Sequence, residues 1–162
     1  MRFIFILIFS TLACTLANAQ LVVPEPPLQR PVMDMNMVIQ FGGHRIEVLP
    51  AKRAVLQANG HYTALSTGTS EAMTKDRLGM GYSYASNTHV LMNGELSVKL
   101  KTGFSLTSLG PLSTGAKLVI PPNLFVLNAS TPHELVRMMR ALQTHPAVDW
   151  VEPFIVRNRL IE

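Results

Sequence analysis

The sequence predicts an α+β protein: a β-rich N-terminal region followed by a βαββαβ unit, in which a four-stranded antiparallel sheet carries two helices on one face. Three observations lead there. Leu96, Val98 and Leu100 alternate with Glu95, Ser97, Lys99 and Lys101, the period of a half-buried strand. Leu135, Met138, Met139 and Leu142 recur at helical spacing behind the start signal Thr131-Pro132-His133-Glu134. Gly42-Gly43, Asn59-Gly60 and Asn93-Gly94 each separate two apolar runs, as hairpin turns do.

Taken in order, Met1-Arg2 is a positive start, Phe3 to Leu16 is apolar, and Ala17-Asn18-Ala19 offers small residues at a cleavage site. Residues 1–19 are therefore expected to be a secretory signal peptide, cut after Ala19, which places the protein in the periplasm or outside the cell. Residues 20–36, rich in proline, are expected to be extended. Within the β-rich region, 37–90, Met37–Phe41 pairs with Arg45–Leu49 and Ala54–Gln57 with Tyr62–Leu65, while Thr67 to Gly81 reads as a loop. In the unit 91–153, Asn93-Gly94 turns the chain into the strand from Glu95. Ser105 to Leu112 gives a short helix, and Ala116–Ile120 and Leu124–Leu127 give two strands. The main helix starts at its Thr131 cap, with Pro132 in its first turn and Glu134 closing a capping box, and it stops before Pro146. Arg137 and Arg140 point away from its apolar stripe. Val148–Val151 is the last strand, and residues 154–162 form a tail. This order of elements is the ferredoxin-like arrangement.

Composition narrows the function. The full chain has 162 residues, 14 of them basic and 10 acidic, and one cysteine. Removing the first 19, Arg2 and Cys14 among them, leaves 143 residues with 13 basic and 10 acidic, a net charge of +3 and no disulfide. The cations sit singly or in pairs such as Lys52-Arg53, which gives no footprint for nucleic acid. No membrane span is expected after signal cleavage. The five histidines show no metal-ligand spacing, and there is no nucleophile elbow or phosphate loop, so neither an enzyme nor a cofactor is expected.

The second half resembles the propeptides of secreted subtilisin-type serine proteases. Gly94 to Lys101 (GELSVKLK) is similar to the family's first strand and Gly115-Ala116-Lys117-Leu118 to the start of its second. Leu142 to Pro153 (LQTHPAVDWVEP) resembles the motif that closes such propeptides. Coverage is about residues 93–153. No Asp, His and Ser elements of a catalytic triad follow, so the chain is similar to the free-standing chaperones of kexin-like proteases, as in Aeromonas. The resemblance implies a 1:1 complex with a subtilisin-type (kexin-like) protease, which the helper assists in folding and then inhibits. The open sheet face would pack on two protease helices, and the tail would lie in the active-site cleft as an added strand.

On that resemblance Glu152 caps the protease helices, where orphan N–H groups favour an anion. Phe154 replaces a second acidic residue and acts as an apolar anchor, followed by Ile155. Leu160, Ile161 and Glu162 form the product-like end, with either Glu162 or, in a shifted register, Arg159 at the specificity pocket. Trp150 is either a docking anchor or, since alternation places it with Val148, part of the core. A different reading rests on Met33, Met35 and Met37. On an extended backbone three thioethers share one side, which is suited to packing or, in an exported protein, to Cu(I). A third is a general exported binding module working through hairpin edges.

Overall fold

The computed structural model describes residues 33–68, 71–120 and 122–156. The expected signal peptide, most of the lead-in and the tail from 157 onward lie outside the described residues. Asp34 caps a 3-10 turn, Met35–Met37, its side chain accepting from the Asn36 N–H at 2.9 Å. Strands β1 (Val38–Phe41) and β2 (His44–Leu56) form the hairpin expected around Gly42-Gly43. β2 continues past an irregularity between Leu49 and Arg53, then turns through Asn59-Gly60 into β3 (Tyr62–Ser66), as expected. Next come β4 (Arg77–Ser83), β5 (Thr88–Leu100), a 3-10 segment over Leu106–Ser113, β6 (Lys117–Ile120), β7 (Leu124–Asn128), helix α1 (Pro132–Gln143) and β8 (Val148–Val156). The fold is α+β. Among the described residues, all strand pairs are antiparallel and form one sheet, ordered β1-β2-β4-β5-β7-β6, with β3 added to β2 and β8 to β5.

β5 organises this sheet. Along one edge it pairs first with β4 (Thr88 to Met92) and then with β7 (Glu95 to Lys99); β8 runs along the other edge from Leu91 to Leu100. Two sequence expectations fail here. Asn93-Gly94 is not a hairpin turn but a bulge inside β5: Met92 faces Ile155 and Leu96 faces Pro153, so three residues of β5 oppose one of β8. Gly94 takes φ +87°, and a Cβ there would lie 2.3 Å from the Ala129 carbonyl oxygen. The dipeptide's tolerance of positive φ is used by a bulge instead of a turn. Arg77 to Gly81, expected as loop, belongs to β4. Its glycines are packing positions: a Cβ on Gly81 would come within 2.7 Å of the Ile46 side chain. β5 also crosses the expected boundary between residues 90 and 91.

α1 forms for the reasons its sequence gives. The Thr131 hydroxyl accepts from the Glu134 N–H at 3.2 Å, while the Glu134 carboxylate accepts from Ser130 N–H and hydroxyl, each at 2.7 Å. Leu135, Val136, Met138, Met139 and Leu142 are buried against Leu96, Val98, Leu100, Phe125, Leu127 and Val151. A second, smaller cluster packs Ala54, Tyr62, Ala64, Leu78, Met80 and Leu91 in the N-terminal half. Replacing Leu135 or Met139, both fully buried, by alanine is expected to cost ~2–5 kcal/mol each, read from denaturant midpoints.

Hydrogen bonds from Ser130 hold the Glu134 carboxyl below the ordinary glutamate range, assisted by the Arg137 charge. A depressed folded-state value means stabilisation present above the unfolded value of about 4.3 and lost as pH falls through the folded one. Glu134→Gln is therefore expected to lower stability at pH 7 and to flatten its loss towards pH 3, measured by urea midpoints at both values.

Arg140 is exposed and points away from the apolar stripe, as expected, but it is not free of the protein. Its guanidinium donates to the carbonyls of Met35 (3.1 Å) and Asn36 (2.9 Å), tying the first turn to α1. That turn also removes the expected methionine row: Met37 is buried in the core while Met35 is exposed, because a 3-10 turn does not alternate as an extended chain does.

Candidate partner-binding face

The sheet face opposite α1 is built by strand alternation. Leu96, Val98 and Leu100 point into the core, so Glu95, Ser97 and Lys99 point out, and residues directly opposite them share that face. The register gives two rows across the strands: Lys117, Val126, Ser97, Glu152 and Ile120, Leu124, Lys99, Trp150. Phe154 follows Glu152 on the same side of β8.

Trp150 is on this face and not in the core. Between Lys99/Trp150 and Leu100/Val148 the ladder admits one extra residue, Asp149, and this bulge shifts Trp150 out of phase with Val148. Val148 is buried, while Trp150 is 38% and Phe154 51% exposed. Glu152 is exposed, its Oε1 placed 3.3 Å from where a Cβ on Gly42 would stand, and no described residue hydrogen-bonds its carboxylate. Lys99 makes an exposed ion pair with Asp149 at 3.2 Å, which adds little stability. Ile155 turns the other way and packs, half-buried, against the core. Three of the expected contact residues, Trp150, Glu152 and Phe154, are thus brought together. Arg159, Leu160, Ile161 and Glu162 lie outside the described residues. Phe154, expected as the first tail residue, is within β8.

Sequence reasoning missed the β6 side. Leu118, Val119 and Ile120 are each more than half exposed, on a strand that among the described residues pairs with β7 alone. The signal was present in the run Lys117-Leu118-Val119-Ile120, whose uninterrupted apolar residues have no alternation to assign one side to water. Such an edge is a pairing template for another chain.

Elsewhere the described residues hold no group of three or more His, Cys, Asp or Glu placed to bind a metal ion. A cavity of about 380 Å³ lined by Tyr62, Lys75, Leu78, Asn93, Glu95 and Val156 includes no histidine, serine or cysteine. No described helix is long and apolar enough to cross a membrane. Comparison with protein-family models, curated proteins and solved structures gives no match for this chain.

Proposed function

We propose that this protein is an exported chaperone and inhibitor of a secreted subtilisin-type serine protease, binding it 1:1 through the outward face of β6, β7, β5 and β8. The observation that carries this reading is the exposed aromatic pair Trp150 and Phe154 beside Glu152, on a sheet whose opposite face is covered by α1. Large aromatics standing in water on a packed sheet suit an interface better than a solvated surface.

The strand order β8-β5-β7-β6 supports the finer reading of residues 91–153 as a ferredoxin-like unit, with the 3-10 segment Leu106–Ser113 in the place of its first helix. In this account the two protease helices lie across the two rows of the outward face, Glu152 caps their N-termini, and the chain beyond β8 enters the cleft. Because Phe154–Val156 belong to β8, the deletion that tests the tail begins at Arg157. Removing residues 157–162 is expected to leave the thermal transition unchanged and to weaken inhibition of the partner protease by at least ~10-fold, roughly what one well-seated side chain contributes. Equal inhibition by the shortened chain would refute the cleft-filling role.

The exposed edge of β6 favours a second reading, a general exported module that captures extended segments by strand addition. It differs in its dependence: Val119→Lys would abolish binding while Trp150→Ala would not.

A further inference from the structure

The methionines near the first turn fit a different chemistry from metal binding. Arg45 Nη2 lies 3.0 Å from the Sδ atoms of both Met33 and Met35. A guanidinium between two thioethers is a poor neighbour for Cu(I), which would add a second positive charge. It is a good neighbour for oxygen. The Arg45 guanidinium also lies over the Tyr84 ring at 5.9 Å, and its Nε is buried with no hydrogen-bond acceptor among the described residues. Met33 is 37% and Met35 62% exposed, while the other six described methionines are all buried.

We propose that Met33 and Met35 are a sulfoxidation site for peroxides, with Arg45 as its positioning residue. A lone pair on Sδ attacks one oxygen of hydrogen peroxide; the S–O bond forms as the O–O bond breaks. The departing hydroxide takes the proton from the transferred oxygen and leaves as water. The sulfur is oxidised by two electrons and the peroxide is reduced. The guanidinium stabilises the charge developing on the leaving oxygen, then donates to the sulfoxide oxygen, a stronger acceptor than the thioether it replaces. Because Asp34 N–H is held by Glu47 Oε1 at 2.6 Å and the carbonyls of Met35 and Asn36 by Arg140, the turn has anchors independent of its sulfurs. Oxidation is therefore accommodated without unfolding.

The test is a time course of the purified protein in dilute hydrogen peroxide, followed by peptide mapping, with N-acetylmethionine amide in the same tube. Met33 and Met35 are expected to oxidise first and at least as fast as the free compound, despite their partial shielding. The thermal transition is expected to stay in place. Arg45→Gln, checked for folding by circular dichroism, is expected to slow both sites by ~3–10-fold, the value of a partly exposed charge-assisted hydrogen bond. Slower oxidation than the free compound, sulfoxides spread over the buried methionines, or an unchanged rate in Arg45→Gln would each overturn the proposal.

Discussion

Gly94→Ala is expected to destabilise the protein by ~3–5 kcal/mol, a loss large enough to threaten folding of a domain this size. Two independent effects add. The residue sits at φ +87°, where an L side chain is strained by about 1–2 kcal/mol. The new Cβ would also stand 2.3 Å from the Ala129 carbonyl oxygen, and that atom belongs to backbone that cannot swing away as a side chain can. The Ala129 N–H donates to the Gly94 carbonyl at 2.8 Å, so relieving the clash pulls apart the bond that joins β7 to β5 just where β4 leaves off. Denaturant unfolding monitored by circular dichroism checks this. A midpoint equal to that of the unsubstituted protein would mean that Gly94 neither holds a positive φ nor lies against the Ala129 carbonyl, and so that β5 does not bulge here.

The same position shows why part of the fold could be read from sequence and part could not. Asn-Gly reports tolerance of positive φ, and both turns and bulges need it; local sequence cannot choose between them. The choice is made by β8, some sixty residues downstream, which pairs with β5 on both sides of the bulge and so holds its two halves in one strand. β4 was hidden for a related reason. Gly79 and Gly81 look like breakers, yet Met73 and Ile46 occupy the space their side chains would need. α1 and the hairpins at Gly42-Gly43 and Asn59-Gly60 were legible because their determinants are local: a cap, an apolar stripe and a two-residue turn.

Replacing both Trp150 and Phe154 by alanine is expected to weaken association with the protease by ~100–1,000-fold, the effect of losing two partly additive aromatic anchors. Stability should fall by only about 1–2 kcal/mol, because both side chains are partly exposed and neither lies in the closed core. The pairing of these two readouts is what separates an interface from a core. A large stability loss would return Trp150 to the interior; intact binding with intact stability would remove the face from the account. Calorimetric titration alongside thermal unfolding measures both.

For the candidate site, the identities of Trp150, Glu152 and Phe154 were legible but their common orientation was not. Simple alternation from Val148 sends Trp150 inward, and only the extra residue Asp149 brings it into line with Glu152 and Phe154. The same reversal turns Ile155 to the other side, where it packs half-buried against the core. Bulges of this kind arise from cross-strand register, which a single strand's sequence does not contain.

The most direct test of the central claim is a titration of the protein, without its first 19 residues, against a subtilisin-type protease secreted by the same organism, following peptide hydrolysis and complex mass together. The account predicts stoichiometric inhibition at one helper per protease and a complex of matching mass. Full protease activity at a large excess of the protein, with no complex formed, would contradict it.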